Sequence, residues 1–97
     1  MSPVLLELGE LLHARGQAAQ AVPLLERSLA ITPRVARDAL DLGVRRFALA
    51  RALWDARGDR RRARELGEQA REGLLAAGTE GQEALAAATK WLASRPQ

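Results

Sequence analysis

The side chains best supplied for chemistry in this chain are guanidiniums. Residues 56–64 read ARGDRRRAR, which places Arg57, Arg60, Arg61, Arg62 and Arg64 around Asp59. Cations at this density could hold a carboxylate or a phosphate backbone, and the leading Arg-Gly-Asp could be taken for an adhesion tripeptide. Carboxylates recur at helical spacing, Glu7 with Glu10 and Glu65 with Glu68 and Glu72. Each group lies near arginines, which reads as surface ion pairing and not as acid–base work. His13 is the sole histidine and cysteine is absent, so disulfides, thiolate metal sites, histidine clusters and Ser-His pairs have no supply of residues. His13 falls in the last turn of a predicted helix, where a cation is mildly favoured, and reads as a surface residue. Trp54 and Trp91 fall on apolar faces and read as core packing, not base stacking. The chain is expected to be non-catalytic and to need no cofactor.

The totals agree with that expectation. Ninety-seven residues suit one domain, since a chain of this size buries too little surface to support two independent cores. Ala and Leu supply most of the 47% apolar share, with one Phe and no Tyr, so intrinsic preference runs to helix and the expected class is all-α. The net charge is only +3, and the basic character comes from fourteen arginines against one lysine, a bias that a GC-rich genome also produces. A high pI of this origin is weak grounds for nucleic acid. No apolar run approaches the ~18–20 residues of a membrane span, and the start MSPVLLELGE lacks the basic end of a signal peptide. A cytoplasmic address without membrane contact is expected.

Ser2-Pro3 opens a helix on which Leu5, Leu8 and Leu12, flanked by Leu6 and Leu11, recur until Gly16. Gly16 supplies the left-handed turn that ends a helix. Ala21, Leu24, Leu25, Ser28, Leu29 and Ile31 carry a second helix, and two helices joined so briefly must lie antiparallel. Pro33 reads as the boundary that closes a first hairpin over 3–32 and opens an elongated second one over 33–78. Its first helix carries Val35, Ala39, Leu40, Val44, Phe47, Leu53 and Trp54, and tolerates Gly43 at about 1 kcal/mol. Asp59 is placed to cap the next helix, whose inner face is Ala63, Leu66, Gly67, Ala70, Leu74 and Ala77. Thr79 to Gln82 has capping-box spacing and opens a fifth helix over 79–95. There Leu85, Ala88, Trp91 and Leu92 face inward, Glu83, Lys90 and Ser94 face water, and Pro96 makes the stop.

The two hairpins are copies of each other. ARGQAAQA at 14–21 matches ARGDRRRA at 56–63, with the glycines 42 residues apart, and Leu5, Leu12 and Ala21 fall on Phe47, Trp54 and Ala63. The Arg-Gly-Asp is thus most simply the turn of the second copy, because the first copy makes the same turn with ARGQ.

Leu5, Leu8-Gly9, Leu12, Gly16, Ala21, Leu25 and Pro33 together resemble a tetratricopeptide repeat, with leucines at the usual aromatic positions. The second copy resembles it at Phe47, Trp54, Gly58, Ala63 and Ala70, and departs at Arg51, where a small residue is usual, and at Gly67, where an aromatic is usual. It also exceeds the family's ~34-residue period. The second half is similar, besides, to the ends of repeat regions that follow kinase domains in large bacterial Ser/Thr kinases.

The resemblance implies an α-solenoid of antiparallel helical hairpins, here five helices with the last as a cap, stacked in a short right-handed array. It implies a scaffold that binds a protein or peptide partner on a concave surface lined by Leu6, Glu10 and His13 from the first copy and Arg45, Ala48, Ala52 and Asp55 from the second. The residues there could equally be plain solvated helix surface. The family's carboxylate-clamp subset wants Lys and Asn at such positions, where this chain has Glu10 and Ala52.

The alternative is a basic patch of Arg57, Arg60, Arg61, Arg62 and Arg64 for an anionic protein or nucleic acid. Nucleic acid is the lesser case, since no aromatic is interleaved and no recognition helix accompanies the arginines. Arrays of this kind usually need about three repeats. Two and a cap imply either a piece of a longer array or self-association through the outer side of the first hairpin.

Overall fold

A computed structural model describes residues 2–35 and 39–95, with side chains over 5–30 and 40–95. Every regular element among them is helical: α1 Ser2–Ala14, α2 Ala18–Val35, α3 Ala39–Asp55, α4 Arg60–Ala76, a 3-10 turn Gly78–Gly81 and α5 Gln82–Ala93. Each helix packs on the next, and α1 also reaches α3. The all-α class and the hairpin-and-cap plan are therefore as the periodicity predicts.

The second helix of each hairpin has the inward face expected of it. Ala21, Leu25 and Ser28 are buried on α2, and Ala63, Leu66, Gly67, Ala70 and Leu74 on α4. Asp59 caps α4, its carboxylate accepting from the Arg62 backbone N–H at 3.0 Å. On α5, Ala88, Trp91 and Leu92 are buried while Glu83, Lys90 and Ser94 are exposed.

Four local expectations fail. Pro33 does not end the first hairpin: α2 continues through it to Val35 and α3 begins only at Ala39, so α2 is lengthened as well as α3, at 18 and 17 residues against 13 for α1. A proline removes only one helical hydrogen bond and crowds one carbonyl, and α2 is held by α1 on one side and α3 on the other. Next, the outer leucines of α1 do not all face inward. Leu6 and Leu12 pack on the core, whereas Leu8 and Leu11 are 44% and 49% exposed.

The Thr79–Gln82 capping box also does not form. Residues 78–81 wind as a 3-10 turn, and α5 starts after Gly81 without a side-chain cap. A Cβ on Gly81 would stand 2.5 Å from the Leu74 carbonyl oxygen, so glycine is what lets this turn lie against the end of α4. Finally, the two ARG turns are not equivalent. The left-handed residue is Gly16 at φ 81° in the first copy but Arg57 at φ 60° in the second. The closing hydrogen bonds move with it: Gln17 N–H reaches the Leu12 carbonyl at 2.9 Å, while Gly58 N–H reaches that of Leu53 at 2.9 Å. Helix α3 thus ends one residue earlier in the repeat than α1.

The stop expected at Pro96 lies outside the described residues, as do the side chains of Ile31, Val35 and Ala39.

The core joins both hairpins to α5. Phe47 on α3 meets Trp91 edge-on with centroids 5.9 Å apart, and Trp54 meets the same ring at 5.9 Å. Such pairs add ~0.5–1.5 kcal/mol beyond area burial. Trp91 also answers the departure at Gly67. A Cβ there would come within 2.8 Å of the Trp91 ring, so the aromatic missing from α4 is supplied from α5 and needs the space.

Candidate partner-binding groove

The groove is built where α1, α3 and the end of α5 converge. Glu10, His13 and Ala14 from α1, Arg51 and Asp55 from α3, and Trp91 and Arg95 from the cap line an open pocket of about 310 Å³. Three of the expected groove residues meet here. His13 Nε2 and Asp55 Oδ2 lie 2.6 Å apart, joining the same position of successive copies. Glu10 lies one helical turn before His13 on α1 and is half-buried.

The other four do not line it. Leu6 is half-buried and packs on the core, and Ala48 and Ala52 are buried at 3% and 0% exposure. The reason is the central place of α3, which packs on α1, α2 and α4 and carries the Phe47–Trp91 contact besides. Alanines on such a helix are spacers that let neighbours approach, not open surface. Arg45 is likewise buried, donating through Nη1 to Ser28 Oγ on α2 and through Nε to the Asp41 carboxylate at 3.1–3.2 Å. It ties the two hairpins together.

Besides Ala14 at the end of α1, three lining residues were not anticipated. Arg51 sits where the repeat pattern wants a small residue, and that departure was the available signal. Trp91 and Arg95 come from outside the repeat period, and nothing local to the copies points to them. Arg95 lies over the rings of Trp91 and Trp54, 4.8 and 5.7 Å from their centroids.

The arginines of 56–64 disperse instead of forming one cationic face. Arg62 reaches back to Glu26 on α2 with two parallel hydrogen bonds, at 2.5 and 2.9 Å. That bonded guanidinium holds the Glu26 carboxyl below its ordinary value of 4.5, against the opposing effect of burial, and Glu26 raises Arg62 in return. Arg64 donates to the carbonyls of Arg95 and of Leu92, the latter at 3.3 Å, and to Glu68 at 3.3 Å. It thereby satisfies acceptors that the end of α5 would leave open. Arg60 lies over the Trp54 ring, 4.7 Å from the centroid. Arg61 stands 3.8 Å from Glu65 with its side chain 90% exposed, a geometry that contributes little. Arg57 is exposed at the turn.

Among the described residues no helix is long and apolar enough to cross a membrane. A family model described as "Tetratricopeptide repeat" matches residues 1–76, which span both hairpins. No curated protein and no solved structure matches significantly. The family match lends no support to the kinase-linked resemblance.

Proposed function

The chain belongs to the tetratricopeptide repeat family, whose members generally serve as protein–protein interaction modules, and on that premise we propose that residues 1–97 act as one non-catalytic unit that binds a peptide or partner helix in the groove between α1, α3 and α5. The observation that carries this reading is the open polar pocket holding Glu10, His13 and Asp55 together, with Trp91 as an apolar wall. A few placed polar groups beside an aromatic surface suit recognition of a short segment. The test is selection from a random peptide library on the immobilised chain, followed by titration of the enriched peptides. Substituting His13 and Asp55 together should weaken binding at least tenfold, and failure to enrich any peptide would remove the proposal.

The basic-patch alternative is the weaker one, because Arg62 and Arg64 are committed to Glu26 and to the end of α5. It requires steep salt dependence and loss of binding on replacing Arg60, Arg61 and Arg62 with Ala.

Self-association is favoured by a separate observation, the exposure of Leu8 and Leu11 on one side of α1. Sedimentation across a concentration series should then show association that Leu8→Gln with Leu11→Gln abolishes.

A further inference from the structure

Arg51 is a cation without a counterpart. Its Nε is buried with no acceptor, and among the described residues its guanidinium makes neither an ion pair nor a hydrogen bond. Its one polar-face contact is with the Phe47 ring, 5.2 Å from the centroid. Nε itself is closed to the pocket, so the groups that the half-buried Arg51 can offer an anion there are its terminal Nη1 and Nη2, whose removal from water without an acceptor would be costly.

Arg95 lines the same pocket with its Nε also buried and without an acceptor. Its Nη1 is spent on Ser94 Oγ at 2.8 Å and the Trp91 carbonyl at 3.3 Å. Of the two carboxylates at the pocket, Asp55 is already held by His13. Among the described residues Glu10 makes no hydrogen bond or ion pair with either arginine, and neither guanidinium is paired with a carboxylate.

We infer that Arg51, with Arg95 beside it, receives the side-chain carboxylate of an acidic residue in the bound peptide, and that Glu10 opposes that carboxylate and restrains its affinity. The inference rests on the reading of the groove as a peptide site and adds its ligand class. A planar guanidinium pairs with a carboxylate through two parallel N–H donors, which a neutral amide cannot reproduce. The open pocket of about 310 Å³ has room for one or two acidic side chains.

The experiment uses the full chain and a random 12-mer library displayed with both peptide ends fused or blocked, so that no ligand carries a free terminal carboxylate. Enriched peptides are then synthesised acetylated and amidated, and titrated by NMR on the Trp91 indole. Acidic residues should be enriched. Replacing the key Glu by Gln in the peptide should cost at least tenfold in affinity, as should Arg51→Gln in the protein, with helix content by circular dichroism as the folding control. Glu10→Gln, at a half-buried position that the core does not use, should strengthen binding several-fold, and it decides the matter even if Arg51→Gln does not fold. Peptides that bind equally well with Gln for Glu, and equally well to Glu10→Gln, overturn the inference and leave the groove reading standing. Binding that appears only when the peptide's terminal carboxylate is freed overturns the side-chain assignment. Enrichment of no peptide at all overturns both.

Discussion

His13 and Asp55 stand at the same place in successive repeats, 42 residues apart in the chain, and their side chains meet at 2.6 Å. One position has thus diverged into a complementary pair, and the pair bridges α1 to α3 along the groove wall. The His13 side chain is 14% exposed and that of Asp55 47%, so the contact is only partly shielded from water. A double-mutant cycle of His13→Ala and Asp55→Ala should give a coupling of ~0.5–1 kcal/mol, read from urea midpoints. A coupling indistinguishable from zero would mean that the two side chains do not hold each other in solution.

The displaced left-handed residue makes a prediction that runs against repeat logic. Arg57 adopts φ 60°, a conformation that costs a residue with a Cβ ~1–2 kcal/mol. Arg57→Gly should therefore stabilise the fold by about 0.5–1 kcal/mol, after the added freedom of the unfolded chain is subtracted. Gly16→Ala should do the reverse by about 1 kcal/mol, even though nothing lies within 4 Å of the added methyl, because φ there is 81°. The two midpoints should shift in opposite directions with unchanged denaturant slopes.

The Glu26–Arg62 bridge links α2 to α4 across the two hairpins, and its acid dependence has a definite sign. The folded carboxyl titrates below the unfolded value of 4.5, so the stabilisation is complete above that value and is lost as pH falls through the folded one. With side chains 37% and 41% exposed, the pair should be worth no more than ~1 kcal/mol at neutral pH. Glu26→Gln should lower stability by up to that amount at pH 7. The difference from wild type should shrink as the pH is taken below 4.5. A gap that stays constant or widens on acidification would contradict the assignment.

The ring that α5 lends to α4 should be the most costly single side chain to remove. Trp91 is 8% exposed and touches Phe47, Trp54 and the bare backbone face at Gly67. Trp91→Ala is expected to cost about 3–5 kcal/mol, enough to threaten so small a domain. Gly67→Ala, which pushes a methyl to 2.8 Å from the same ring, should cost ~1–3 kcal/mol despite the better helix propensity of alanine. Both are measured by thermal and chemical unfolding.

Much of the architecture is legible in the chain itself. Leucines and alanines at intervals of three and four set the inner faces of α2, α4 and α5, and Asp59 marks the start of α4. These are local signals, because helical period and capping involve residues within a turn or two of each other. The repeat also explains away the Arg-Gly-Asp, since the first copy turns at the matching place with Arg15-Gly16-Gln17.

Other features depend on neighbours that the local pattern does not contain. On α3, Ala48 and Ala52 look like surface because alanine is small and indifferent to burial in sequence terms. Only the arrival of helices on several sides buries them. Arg60, Arg62 and Arg64 look alike in a run, yet one lies over Trp54, one grips Glu26 and one closes the end of α5. The sequence by itself determined the helices, their pairing and the family. Tertiary structure decided which cations are spent, that Arg51 is left facing the pocket, and that the ring beside Gly67 comes from α5. The physical reason is range: helical period and caps act over a few residues, whereas burial and ion pairing are set by which distant elements the fold brings within contact.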